Sequence, residues 1–220
     1  MIETTPTPAA VIFAGGDPIP AGEMPRLPEH RFVIAADGGL HAAQALGVAV
    51  DLVIGDFDSA TPAALDAARR AGAVLERHPV DKDATDLELA LDACLDRGLS
   101  PAVVVGGAGF DRIDHFLANA LLLTAPRYAA MRLEWRVKGA RVVPVHDRIE
   151  IGGAPGDVVT LLPIGGGAAG ITTTGLRWPL QAATLDPGST RGVSNEMTGS
   201  AAVVGLEQGT LLAIHTGGNR

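Results

Sequence analysis

Four short apolar runs punctuate the first half of the chain: Val11-Ile12-Phe13, Phe32-Val33-Ile34, Leu52-Val53-Ile54 and Val103-Val104-Val105. Runs without polar alternation mark strands buried on both faces. Helical patterns separate them. Thr61-Pro62 supplies an N-cap and an N1 proline ahead of Leu65 and Ala68. Thr85-Asp86-Leu87-Glu88 is a capping box opening a helix with Leu87, Leu91 and Cys94 on one face. A further helix is predicted from near Arg112, where Ile113, Phe116, Leu117, Ala120 and Leu121 form the stripe that packs on a sheet. Strands alternating with helices predict a mostly parallel sheet, with ligands bound beyond the carboxyl ends of its strands.

After Arg136 the helical period stops. Short strands such as Val158–Leu162, Ile171–Thr174 and Leu211–Ile214 follow, punctuated by Gly and Pro. The expected fold class is α/β: an N-terminal, mostly parallel sheet with flanking helices over residues 1–136, then an all-β, sandwich-like domain over residues 137–220. The Gly165-Gly166-Gly167 tract is expected to form a surface loop.

A chain of 220 residues, 47% hydrophobic and 19% charged, is long enough for one large or two small cores. No apolar run reaches membrane-spanning length, and Met1–Pro6 lacks the basic stretch of a signal peptide, so a cytoplasmic location is expected. The net charge of -8 argues against nucleic acid as a partner, because that affinity rests on Lys and Arg neutralising phosphates. The single cysteine, Cys94, sits in an apolar helical pattern and reads as a buried thiol. Lys82 and Lys138 are the only lysines, and no Walker-type G-x-x-x-x-G-K-[ST] run exists.

Acidic turns follow the predicted strands. Asp37-Gly38-Gly39 comes after one, Gly55-Asp56-Phe57-Asp58-Ser59 after the next, and Asp81-Lys82-Asp83-Ala84-Thr85-Asp86 leads into a helix. Read as an extended segment, Asp56 and Asp58 at i, i+2 point their carboxylates the same way, an arrangement that suits one hard cation. A lone Asp in a turn often only closes the turn. Two close carboxylates, however, repel unless a cation or a proton relieves them.

Gly106-Gly107-Ala108-Gly109 after the Val103 run can bring backbone N–H groups to a phosphate, with Arg112 adding donors. Arg112 stands where the third Gly of a dinucleotide fingerprint would be, which disfavours an NAD enzyme. Asp114 and His115 fall in the first helical turn, where the dipole suits an acid. The histidines show no H-E-x-x-H pattern, so zinc has little support, and no G-x-S-x-G elbow exists.

Taken together, Asp37–Gly39, Asp51–Ser59, Lys82–Glu88 and Arg112–Asn119 resemble, in order and spacing, the thiamine pyrophosphokinase family. The likeness continues through Gly175-Leu176-Arg177-Trp178-Pro179-Leu180 and Ser194-Asn195-Glu196, which look like that family's thiamine-binding half. One departure is Phe110-Asp111 before Arg112, where the family usually has Gly-Gly.

The resemblance implies diphosphoryl transfer from ATP to the thiamine hydroxyl, with Mg2+ as cofactor and ATP and thiamine as partners. It also implies a homodimer with its active site between subunits. Asp56, Asp58 and Asp37 would hold metal and phosphate, Asp86 would orient or deprotonate the hydroxyl, and Arg112 would stabilise phosphoryl charge. The nucleotide would meet Asp37, Gly38, Gly39, Gly107, Gly109, Arg112, Asp114 and His115, and thiamine would meet Trp178, Leu176, Ser194 and Asn195. The alternatives are a related pyrophosphokinase acting on another alcohol, such as a hydroxymethyl pterin, and a non-catalytic thiamine or nucleotide sensor on the same fold.

Overall fold

The computed structural model describes residues 9–20, 22, 24–109 and 112–217. The Phe110-Asp111 departure therefore lies outside the described residues. The backbone falls into two compact units, one of Met1–Leu122 with Ala130–Lys138, the other of Leu123–Ala129 with Gly139–Arg220.

In the first unit six strands form a parallel array: β1 (Ala9–Ala14), β2 (Arg31–Ala36), β3 (Leu52–Gly55), β4 (Val74–Arg77), β5 (Ala102–Gly106) and β6 (Leu133–Val137). Their spatial order is β4-β3-β2-β1-β5-β6, and each neighbouring pair runs parallel. The order turns back between β1 and β5. That reversal opens a crevice beyond the strand ends, the position where open α/β sheets bind ligands.

Four α-helices occur among the described residues: α1 (Gly39–Ala45), α2 (Pro62–Arg70), α3 (Asp86–Asp96) and α4 (Ile113–Leu122). Thr61 and Thr85 cap α2 and α3, their hydroxyls accepting from the N–H of Ala64 and Glu88. On one face of the sheet Ala35 and Val53 pack with Leu40 of α1 and Ala64 and Ala68 of α2. Strand alternation turns Ile12, Ile34 and Ile54 to the other face, and α3 lies across β1, β2 and β3. Leu87, Leu91 and Cys94 of α3 are buried, and burial pushes the Cys94 thiol up to about 12.

One expectation fails on α4. Its stripe was predicted to pack on the sheet, but Ile113, Leu117 and Leu121 are exposed. The inward face is set instead by Phe116, stacked 5.2 Å from the Trp135 ring, and by buried Asn119, whose Nδ2 donates to Gly107 O. A buried amide that finds a backbone acceptor can win an inward position over a leucine, because its hydrogen bond cancels its desolvation cost.

The second unit is antiparallel: β7 (Ala140–Val145), β8 (Arg148–Gly152), β9 (Val158–Thr174), β10 (Ala183–Leu185), β11 (Asn195–Glu196), β12 (Ala201–Gly205) and β13 (Gln208–Thr216). β13 pairs with β7 and with the first half of β9, while β12 pairs β8 with the far half of β9. Val159, Leu161, Ile171, Leu185, Val204 and Leu211 fill the core between these layers. The expected glycine loop is a bulge inside β9. Ile164 and Ala168 face the adjacent residues Thr210 and Gly209, so Gly165–Gly167 is looped out of the ladder.

Candidate active site

The carboxyl ends of β1, β2, β3 and β5 open into a cleft of about 730 Å³. Each strand contributes the turn that follows it. Gly15, Gly16 and Asp17 come from β1, Asp37 and Gly38 from β2, Asp56, Asp58 and Ser59 from β3, and Gly107 and Gly109 from β5. Lys82, Thr85 and Asp86 enter from the segment opening α3, and Arg112, His115 and Asn119 from α4.

One ligand oxygen from each of Asp37, Asp56 and Asp58 can be chosen so that all three lie within 4.8 Å of one another. The route to this cluster differs from the i, i+2 argument, which assumed an extended segment. β3 ends at Gly55, and Phe57 turns with φ of +66°, so a turn, not strand alternation, brings Asp56 and Asp58 together. The N–H of Asp58 donates to Asp56 Oδ1 at 3.1 Å, closing that turn. Ser59 ties it to the neighbouring strand, its N–H donating to Asp37 Oδ2 and its hydroxyl to Asp58 Oδ1.

Gly55 holds the tightest point. A Cβ at this position, where φ is +145°, would lie 2.9 Å from Asp86 Oδ1 and 3.0 Å from Asp37 Cβ. Absence of a side chain lets two carboxylates from different elements close over the end of β3.

Lys82 sits inside the cluster. Its Nζ donates to Asp56 Oδ2 at 2.6 Å and lies 3.2 Å from Asp86 Oδ1, an ion-pair contact without hydrogen-bond alignment. Asp37 Oδ1 is a buried oxygen with no hydrogen-bond partner, while Asp86 Oδ1 is also buried and has only the Lys82 ammonium beside it. Burial raises Asp37 against the hydrogen bonds from Ser59, and burial likewise raises Asp86 against the pull of Lys82. Asp56 is lowered, chiefly by the Lys82 hydrogen bond. Burial pulls the Lys82 ammonium down, but its two carboxylates outweigh burial and raise it overall. A buried carboxylate oxygen without a partner, beside two further carboxylates, suits a hard cation that takes oxygen ligands.

Other expected residues take different places. Gly39 begins α1 and serves packing, since a Cβ there would strike Phe13 O at 1.9 Å. Asp114 is exposed and held by Arg112 through two hydrogen bonds, which lower its carboxyl to about 2. In the second unit Trp178 is 53% exposed, so it does not fill the β core. Asn195 clamps its backbone, accepting from Trp178 N and donating to Trp178 O, and the Arg177 guanidinium lies 4.8 Å from the indole centre. Ser194 adopts φ of +59° and donates its N–H to Thr160 Oγ1. Leu176, expected among the substrate contacts, is buried in the β core and bridged to Met197. Leu180 is buried in the same core, and Arg177, Trp178 and Pro179 between the two leucines turn outward.

Sequence reasoning passed over Lys82 as a site residue, as well as the Gly15-Gly16-Asp17 turn. Both carried a signal: Lys82 stands at i, i+4 to Asp86, and the turn directly follows an apolar strand.

Fold and site together define a two-part protein, a parallel α/β unit with an acidic cleft at its topological switch point followed by an antiparallel β unit. Residues 26–134 match the family model described as thiamin pyrophosphokinase, catalytic domain, and residues 147–211 match the model of the thiamin pyrophosphokinase vitamin B1 binding domain. The chain is 28% identical to thiamine pyrophosphokinase of Bacillus subtilis, over 93% of this chain and 97% of that protein. The crystal structure of the Bacillus subtilis protein superposes with a TM-score of 0.83 at 26% identity, covering 96% of this chain and all of the other. Thiamin pyrophosphokinase from Geobacillus thermodenitrificans gives 0.79 at 25% identity, covering 94% and 97%.

The chain belongs to the thiamine pyrophosphokinase family, a family of kinase-type transferases. No helix among the described residues is long and apolar enough to cross a membrane.

Proposed function

We propose that this protein is a cytoplasmic, homodimeric thiamine diphosphokinase. It transfers the terminal diphosphoryl group of ATP to the hydroxyl of thiamine, giving thiamine diphosphate and AMP. The observation that carries the reading is the cluster of Asp37, Asp56 and Asp58, with a partnerless buried oxygen on Asp37, at the switch point of a chain from this family.

Those three carboxylates fit Mg2+, which takes oxygen ligands and is held by a few acids plus substrate phosphates. Bound there, the ion would neutralise phosphate charge. The protein's own groups do the rest. Gly38, Gly107, Gly109, Arg112 and His115 line the same cleft and hold the triphosphate, with Asp114 steadying the Arg112 guanidinium. The thiamine oxygen attacks the β-phosphorus, the bond from that phosphorus to the α,β-bridging oxygen breaks, and AMP departs. Asp86 takes the hydroxyl proton. Its raised carboxyl suits it as a base, because desolvation strengthens its hold on a proton. Most of the rate comes from alignment and fixed charge, as in other phosphoryl transfers. Trp178 offers an exposed indole face for the thiazolium cation, with Ser194 and Asn195 fixing the surrounding loop.

The test is product analysis. Protein incubated with ATP, Mg2+ and thiamine should release AMP in equal amount to thiamine diphosphate, and a hydroxymethyl pterin in place of thiamine should give none. Appearance of ADP with thiamine monophosphate would overturn the mechanism.

A further inference from the structure

Lys82 is bonded to the group a metal would need. Asp56 has two oxygens: Oδ1 accepts from the Asp58 N–H, and Oδ2 carries the Lys82 ammonium. Both are taken, whereas Asp37 keeps Oδ1 without a partner. A lysine ammonium and a divalent cation cannot share one carboxylate oxygen at bonding distance without strong repulsion. The Lys82 side chain is only 13% exposed.

Other cations near the cluster are committed elsewhere. Arg77 Nε donates to the Asp56 carbonyl, and Arg112 is engaged by Asp114 and His115. Lys82 is therefore the charge that relieves repulsion between Asp56 and Asp86 when no ion is present. Its backbone is anchored, with Lys82 N–H donating to Val80 O, while its four-carbon stem can swing. An ammonium displaced from Asp56 remains at the wall of the cleft, among the residues that the proposed triphosphate would meet.

We propose that Lys82 is a built-in counter-ion that yields Asp56 to the incoming metal and turns onto the phosphates of the nucleotide. It thus does the work of a P-loop lysine in a chain that has no P-loop. This inference rests on the reading of the cleft as a metal–nucleotide site. Charge on the protein is conserved through the exchange, since one internal cation moves from carboxylate to phosphate as the external ion enters.

The experiment uses the full chain with Mn2+ as a paramagnetic probe. Lys82→Met and Lys82→Gln remove the charge with little change in length, and matching circular dichroism spectra identify folded variants. Without nucleotide, either folded variant should bind Mn2+ roughly tenfold or more tighter than wild type, because a competing unit charge is gone. With Mn2+ saturating, its affinity for ATP should be weaker by a similar factor. Equal or weaker Mn2+ binding in a folded variant overturns the proposal.

A second readout needs no variant. Among the two lysines, trace acetylation read by mass spectrometry should find Lys82 protected without metal, reactive with Mg2+ alone, and protected again with a non-hydrolysable ATP analogue. Lys82 reactivity that ignores Mg2+ also overturns it. The outcomes separate from the function itself. Wild-type protein that binds Mn2+ as described but makes no thiamine diphosphate refutes the proposed activity, leaving the counter-ion role standing.

Discussion

Replacing Gly55 with alanine adds one methyl group at the point where the site is most crowded. The backbone there has φ of +145°, a conformation L side chains rarely adopt, so holding it costs about 1–3 kcal/mol. The new Cβ would also stand 2.9 Å from Asp86 Oδ1 and 3.0 Å from Asp37 Cβ. Relief to ordinary contact requires a shift of about half an ångström in one carboxylate or the other, and active sites tolerate this poorly, since about 1 Å of misplacement can cost roughly a hundredfold in rate. The Gly55→Ala protein should therefore lose about 2–3 kcal/mol of stability, the upper part of the strain range, because the crowding adds to it. Its turnover should fall roughly ten- to a hundredfold. Urea unfolding at fixed pH gives the first quantity and AMP release the second. A variant within about 0.5 kcal/mol of wild type, the usual surface effect, and with unchanged turnover would show that Asp37 and Asp86 do not close over this residue.

Two further outcomes follow from the charges. Asp37 is raised by burial, so the folded protein binds more protons than the unfolded chain between the ordinary Asp value of 3.8 and the raised one. Stability of the metal-free protein should fall as pH rises through that window. Asp37→Asn should flatten that fall and stabilise the metal-free protein at neutral pH while weakening Mn2+ binding; an unchanged pH profile in urea would refute the assignment. Trp178→Ala should weaken thiamine binding by about 0.5–2 kcal/mol with ATP affinity unaltered, measured by calorimetry. Equal loss for both ligands would place Trp178 outside the thiamine site.

Much of this protein was set locally and could be read from one dimension. The buried strands at Val11, Phe32, Leu52 and Val103 announce themselves because a parallel sheet covered on both faces tolerates no polar alternation. Thr61-Pro62 and Thr85 mark their helices because capping is a matter of three residues. The acids after successive strands had to converge once those strands were parallel neighbours, since parallel strands deliver their carboxyl ends to the same edge. The change of pattern after Arg136 fell where helical periodicity ended.

What tertiary structure alone decided depends on contacts between distant segments. The turn at Phe57, the closure of Asp37 and Asp86 over Gly55, and the grip of Lys82 on Asp56 across 26 positions leave no periodic trace. Asn119 faces inward on α4, where Gly107 O accepts its amide, while Leu117 and Leu121 face out, and no pattern along the helix records that. Leu176 and Leu180 join the β core while Trp178 between them stays exposed, a sorting that no alternation along Gly175–Leu180 records. Hydrophobic period states which side of an element is buried when burial is the only force. Where a hydrogen bond or a charge pair reaches across the chain, its energy is comparable to that of a buried side chain, and the partner's position, not the residue's type, settles the outcome.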